Sequence, residues 1–383
     1  MFHTVDQLRE GARRRLPRFA FDFMDGGSGS ELALKRNREA FARVELLPRA
    51  LVNCESRNSF VDLLGQSFER PFGIAPIGLA NLVWPGADQA LARAAVQSKI
   101  PFVLSTAGTT SIEAISAVSS QAWFQLYVGR DQSIVEGLIS RADAAGFPTL
   151  IVTVDVPAPG KRVRDLINRF SLPFRLNARM AFDLVRHPAW TVATARAGAP
   201  RFANLEQYSA RSSSPQSLAA LMADQTSARL DWRVLGEIRS RWPRKLVVKG
   251  LLHPKDAQQA KTLGVDGIIV SNHGGRQLES APAPLAVLRE LREAVGNDLP
   301  VILDGGIRSG EDIAKALALG ADFVLLGRAF LYGVAALGPN RGAAETIRIL
   351  SDELDLAQVQ LGCRNYSELR QVQIWSTHSD KGH

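Results

Sequence analysis

From residue 71 onward the chain repeats one unit. A short apolar run ends on a polar residue or glycine, and in most cases an Ala/Leu-rich helical pattern follows. The runs are Phe72–Ala75, Phe102–Ser105, Trp123–Tyr127, Leu150–Asp155, Leu246–Lys249, Gly267–Ser271, Val301–Asp304 and Phe323–Gly327. Strands alternating with helices imply a parallel sheet covered on both faces. Eight such units predict an α/β fold of the (β/α)8 TIM-barrel type. An open doubly wound sheet also alternates, but it does not explain the count. With 383 residues, 46% of them hydrophobic, the chain can bury a barrel as one unit. We expect a single domain over 1–383, with a helical preamble over 1–70, the barrel over 71–350 and an insertion over 160–230 after the fourth strand. In the preamble, Val5, Leu8 and Ala12 share helical spacing up to Pro17. Phe19 to Gly27 reads as an aromatic turn ending in a glycine pair, and Glu31 to Phe41 as a further helix.

A barrel puts its chemistry at the C-terminal ends of its strands. Here those ends carry Pro76-Ile77-Gly78, Ser105, Gln125 and Tyr127, Thr153 and Asp155, Lys249, Ser271 and His273, Asp304-Gly305-Gly306-Ile307-Arg308, and Gly327-Arg328. Nearly all can hydrogen-bond or carry charge. The sixth end, Ser271-Asn272-His273-Gly274-Gly275-Arg276, joins a residue that exchanges protons near neutrality to a guanidinium fork suited to a carboxylate. The last two ends bring glycines and arginines where barrels commonly seat a phosphate, with a helix beginning near Glu311. His3, His187, His253, His378 and His383 lie away from these ends.

Two cysteines, Cys54 and Cys363, exclude a disulfide framework and a cysteine-rich metal site, and suggest a reducing compartment. No metal-ligand cluster is visible. The N-terminal stretch lacks the apolar core of a secretory signal. The net charge of +8 fits anionic partners, but aromatics do not interleave with basic residues as nucleic-acid binding would need. The insertion concentrates basic character. Lys161 to Arg201 holds nine basic residues against two acids, mixed with Phe170, Leu172, Phe174, Leu176, Met180, Phe182, Leu184, Val185 and Trp190. This pattern suits either a contact with an anionic membrane surface or a lid with a solvated basic face. Arg211 to Pro215 reads as its flexible exit.

Several stretches carry a resemblance: Phe124-Gln125-Leu126-Tyr127, Thr153-Val154-Asp155, Val248-Lys249-Gly250, Ser271 to Gln277, Asp304 to Arg308 and Gly327-Arg328. In that order they resemble the FMN-dependent 2-hydroxy-acid dehydrogenase/oxidase family over nearly the whole chain. Leu104–Ala107, Trp123–Val128, Leu218–Met222 and Ala316–Ala321 are similar to its mandelate-oxidising members. The resemblance implies FMN as cofactor and His273 as proton acceptor, with Asp155 stabilising the imidazolium. It implies Arg276, Arg162 and Tyr127 on the substrate, and Lys249 beside the flavin. Pro76, Ile77, Gly78, Ser105, Gln125, Thr153 and Ser271 would line the ring system, with Asp304 on the ribityl chain. Gly305, Gly306, Arg308, Gly327 and Arg328 would hold the phosphate. It further implies a quinone-type acceptor, a homo-tetramer and a cytoplasmic protein peripheral on the inner face of the cytoplasmic membrane. An oxidase releasing hydrogen peroxide and a non-redox barrel for phosphorylated ligands are the alternatives.

Two positions depart from the family pattern. Phe23 stands where a substrate-binding tyrosine is usual, and Ile77 where threonine is usual. A lost hydrogen bond to a charged group costs about 1.5–3 kcal/mol, which directs the expectation toward a bulky or aromatic 2-hydroxy acid. Gly78 goes with the dehydrogenase side of the family.

Overall fold

The computed structural model describes residues 1–57, 60–170, 178–209 and 228–375. Eight parallel strands form the predicted barrel: β1 (Phe72–Ile74), β2 (Val103–Ser105), β3 (Trp123–Tyr127), β4 (Thr149–Thr153), β5 (Lys245–Leu251), β6 (Gly267–Val270), β7 (Val301–Asp304) and β8 (Phe323–Leu326). Each strand pairs with its sequence neighbour, and β8 pairs with β1. The circle closes through a parallel bridge between Ile74 and Phe102. Helices follow the strands, as in Gln132–Ala144, Pro254–Thr262, Pro284–Val295 and Gly310–Ala318.

Alternation along the strands creates two cores. Inside the barrel, Val103, Trp123, Ile151, Val247, Ile269, Ile302 and Phe323 pack together. The hairpin Val61–Leu63/Gln66–Phe68 closes the bottom of the barrel. Its Phe68 lies 6.1 Å from the Trp123 ring and 5.7 Å from that of Phe323. The residues of opposite parity face the helices in the larger outer core. With the bottom filled, the upper rim is the face left for a ligand.

The preamble differs from expectation in one element. Phe19 to Asp25 is not a turn but part of a helix, Arg18–Asp25. Pro17, at φ −53°, is pre-set to begin a helix, and Phe19, Ala20 and Met24 bury one helical face. The predicted helices Val5–Arg15 and Leu32–Ala42 are present.

In the inserted region, Val163–Ile167, Ala178–Arg186 and Pro188–Ala197 are helical. Two of the apolar residues of this basic segment belong to the core. Met180 and Trp190 are buried, and the Trp190 indole donates to the Leu82 and Val83 carbonyls. Phe182 and Val185 are exposed. Leu172, Phe174, Arg175, Leu176, Arg211–Pro215, Leu218–Met222, His378 and His383 lie outside the described residues. No described helix is long and apolar enough to cross a membrane.

Asp25 ties the preamble to the barrel. It accepts a two-pronged bond from Arg9 (2.6 and 2.8 Å), one from Arg164 (3.0 Å) and one from Tyr332 (2.8 Å). Burial alone would raise its carboxyl, but the bonds from Arg9, Tyr332 and Arg164 outweigh burial and hold it at about 2. A depressed folded value stabilises the protein above the ordinary aspartate range, and that contribution is lost as pH falls through the folded value. Asp25→Asn is therefore expected to cost roughly 2 kcal/mol at pH 7. In urea titrations the gap to wild type should narrow below pH ~4; a gap that stays constant down to pH ~2 would contradict the argument.

Candidate active site

A cavity of about 690 Å³ opens at the C-terminal rim. Its wall draws on all eight strand ends, through Ala75–Leu79, Ala107, Tyr127, Thr153, Lys249, His273, Asp304–Arg308 and Gly327–Arg328. Phe23 and Met24 enter from the preamble, and Arg162, Asp165, Leu166 and Phe202 from the insertion.

The proton-handling pair is assembled across the barrel. His273 Nδ1 lies 3.0 Å from Asp155 Oδ1. A carboxylate accepts only, so this bond puts the ring proton on Nδ1 and leaves Nε2 as a base. Tyr127 OH lies 3.4 Å from Nε2. Burial would raise the Asp155 carboxyl, but His273 and Lys249 outweigh it and hold it below its ordinary range. Burial drives the Tyr127 phenol up to about 12, keeping it a neutral donor. The His273 backbone is left-handed, at φ 57°, a state that costs a non-glycine residue on the order of 1–3 kcal/mol. The surroundings enforce it: His273 N donates to Ser271 Oγ, and Asn272 caps the turn through Gly275 N. Asp155 reaches the histidine because β5 bulges at Gly250, φ 109°, where a Cβ would come 2.6 Å from the Asp155 Cβ.

Lys249 is buried, 3.0 Å from Asp304 Oδ2 and 2.9 Å from Ser271 Oγ. Burial would lower it, but Asp304 and Asp155 hold its ammonium above the ordinary lysine value. Ser105, Gln125 and Ser271 are buried, and Gln125 bridges Ser105 (2.8 Å) and Thr153 (2.9 Å).

Four guanidiniums, those of Arg162, Arg276, Arg308 and Arg328, reach the cavity. Among the described residues none of the four forms an ion pair. Arg276 donates to the Phe23 and Gly26 carbonyls (2.8 and 3.0 Å), and Arg328 to Gly274 and Gly26 (2.9 and 2.8 Å). Burial, with Arg162 and Arg328 nearby, pushes Arg276 well below its ordinary range. A guanidinium nonetheless stays protonated, so the cavity holds positive charge that an anionic ligand would relieve. Arg162 and Arg276 flank the Phe23 ring, 5.8 and 5.3 Å from its centroid.

The chain matches the FMN-dependent dehydrogenase family over residues 12–376. The chain belongs to this family. It is 42% identical to (S)-mandelate dehydrogenase of Pseudomonas putida, over 96% of this chain and 92% of that protein. It is 37% identical to an L-lactate dehydrogenase of Pseudomonas syringae pv. syringae (strain B728a), over 96% of each. A crystal structure of the monotopic membrane protein (S)-mandelate dehydrogenase superposes with a TM-score of 0.93 at 41% identity, covering 97% of this chain and 99% of that one. A mandelate oxidase with (S)-4-hydroxymandelic acid gives 0.85 at 34% identity, covering 98% and 99%. The expectation of an FMN-dependent 2-hydroxy-acid oxidoreductase is borne out in enzyme class and cofactor, and family membership removes the non-redox alternative.

The cavity fits FMN on its own terms. Asp304 Oδ1 is buried without a hydrogen-bond partner among the described residues, an acceptor suited to a hydroxyl of the flavin side chain. Gly305 and Gly306 have positive φ, 98° and 91°, at the rim beside Arg308, and unpaired guanidiniums suit a phosphate.

Sequence reasoning missed several residues of this site. Gln277 donates to the Asp155 and Ala158 carbonyls and accepts from Gly160 N, all at 3.1 Å, tying the inserted segment to the histidine loop. Arg164 gathers Asp22, Asp25 and Glu31. Leu166 and Phe202 are wall residues. Their only advance signal was an apolar side chain within a basic segment.

Proposed function

We propose that the enzyme oxidises a bulky or aromatic (S)-2-hydroxy acid, mandelate-like, to the 2-oxo acid. The observation that carries this reading is the His273–Asp155 pair sharing one cavity with Arg162 and Arg276, two guanidiniums without a carboxylate partner among the described residues. The substrate carboxylate takes the place of that partner, held by Arg276 and Arg162. Tyr127 donates to the substrate hydroxyl or carboxylate. His273 Nε2 accepts the proton, from the α-carbon or from the hydroxyl, and Asp155 stabilises the imidazolium. FMN, when bound, supplies the two-electron acceptor. Pro76–Gly78 and Thr153 would line its ring system, Asp304 would hold its side chain, and Gly306, Arg308, Gly327 and Arg328 would hold its phosphate. The Lys249 ammonium offsets negative charge developing on the cofactor.

The apolar wall supports the proposed substrate class. Phe23, Val156, Pro159, Leu166 and Phe202 line the cavity, and Phe23 presents a ring without the hydroxyl that would bind a small acid's carboxylate. The test is anaerobic mixing of the yellow protein with (S)-mandelate, phenyllactate, lactate and glycolate while the flavin bleaches. Aromatic acids should reduce it faster, and Phe23→Tyr should improve KM for the small acids by about 10–100-fold. Faster bleaching by glycolate, with no gain from the tyrosine, would sink the substrate assignment.

The reading extends to a quinone-type acceptor at a membrane surface. Phe182 and Val185 stand exposed on a helix that ends in Arg186, as an interfacial contact requires. Binding to anionic vesicles that weakens in salt, with slow flavin reoxidation in air, is the expected result. Fast reoxidation with hydrogen peroxide would identify an oxidase instead.

A further inference from the structure

We propose that Asn37, in the preamble helix Leu32–Ala42, is a positioning residue for His273, acting through a buried amide pair with Asn272; the inference rests on His273 being the proton acceptor. Asn37 and Asn272 are both buried. Asn37 Nδ2 donates to Asn272 Oδ1 (2.8 Å), and Asn272 Nδ2 returns a bond to Asn37 Oδ1 (2.7 Å). The same Asn272 oxygen accepts from Gly275 N (3.0 Å), and its nitrogen also donates to the Pro282 carbonyl (3.0 Å). Each amide atom of Asn272 is thereby used twice, and its side chain has one orientation that satisfies all four bonds. Asn272 immediately precedes His273, whose left-handed backbone depends on this turn.

Asn37 is the member of the pair that lies outside the loop. Its helix packs so closely on the loop that a Cβ on Gly275 would come 2.7 Å from Leu34 N. Removing the Asn37 amide takes two of the four bonds from Asn272 and leaves only those to Gly275 N and the Pro282 carbonyl, so the turn that aims His273 Nε2 is held less firmly. Misplacing a reacting group by about 1 Å costs about a hundredfold in rate.

The test is a double-mutant cycle on the FMN-loaded enzyme, following flavin reduction by saturating (S)-mandelate. Asn37→Ala is expected to lower the reduction rate by about 10–100-fold, with KM and FMN content little changed. In the His273→Asn background the same substitution should have no further effect on the rate, because the group it positions is gone. An equal fold-loss in that background, or an unchanged rate in the single variant, overturns the proposal. If His273→Asn alone leaves the rate intact, the proton-acceptor assignment falls and takes this inference with it. Should Asn37→Ala fail to fold, Asn37→Ser, whose hydroxyl is too short to span the pair, replaces it under the same criteria.

Discussion

His273→Asn is expected to slow flavin reduction by about 10²–10⁴-fold, the usual contribution of a positioned general base. Asparagine is the informative replacement because it tolerates the left-handed backbone better than most residues. The turn at φ 57° can therefore survive while the base is lost. FMN content should stay close to wild type, since no cofactor contact is assigned to the imidazole, while the melting temperature should fall somewhat because the buried Asp155 loses a partner that holds its carboxyl low. Rapid mixing under anaerobic conditions measures the effect. A variant that reduces its flavin within threefold of wild type would show that another group takes the proton. Asp155→Asn should fall in the same direction, because an amide can present its nitrogen to Nδ1, which reverses the tautomer, and cannot offset the imidazolium charge.

Lys249→Met should have the second large effect, on stability as well as chemistry. The substitution keeps the chain's length and removes the cation that faces Asp304 at 3.0 Å. Leaving a buried carboxylate uncompensated costs about 3–5 kcal/mol, which denaturant unfolding of the apoprotein would register. FMN affinity should drop as well. Adding Asp304→Asn to Lys249→Met should recover part of the stability but not the flavin affinity, which separates the charge penalty from cofactor binding. The pH dependence has a defined sign. A lysine held above its ordinary value stabilises the fold fully below that value, and the contribution disappears as pH rises through the folded one. The gap between wild type and variant should thus persist from neutrality to about pH 10 and close only beyond it. A gap that closes near pH 7 would mean that the buried ammonium is not held charged by its neighbours.

Much of the barrel was legible because its signal is local. A strand buried on both faces reads as an uninterrupted apolar run, and its functional end reads as the first polar residue or glycine after that run. Thr153, Lys249, Ser271 and Asp304 all declare themselves this way, with His273 two residues beyond Ser271. The preamble was harder, since Phe19 to Phe23 is apolar nearly all round and its helical period is masked until the burial of Phe19, Ala20 and Met24 is known. The partners of the site were hidden for a different reason. Asn37 with Asn272, Arg164 with Asp25, and Gln277 with Gly160 join residues far apart in the chain, and no periodicity encodes which polar side chain meets which. The insertion stayed open between lid and membrane contact because residues such as Trp190 and Met180 are the same types whether they face lipid or core.

The tie between the preamble and the helix that follows β8 has a bearing on how the protein is made. Arg15 donates to the Ala336 carbonyl at 2.9 Å, and Asp25 waits for the Tyr332 hydroxyl. A ribosome delivers the first of these partners more than three hundred residues before the second. Loop closure over such a span comes late, so the helix Arg18–Asp25 meets Phe170 and Trp190 well before its Tyr332 anchor is available. Phe23, Met24 and Arg328 can meet only after β8 has emerged. The cofactor pocket is therefore finished last, and flavin capture is expected only after β8 and Arg328 have emerged.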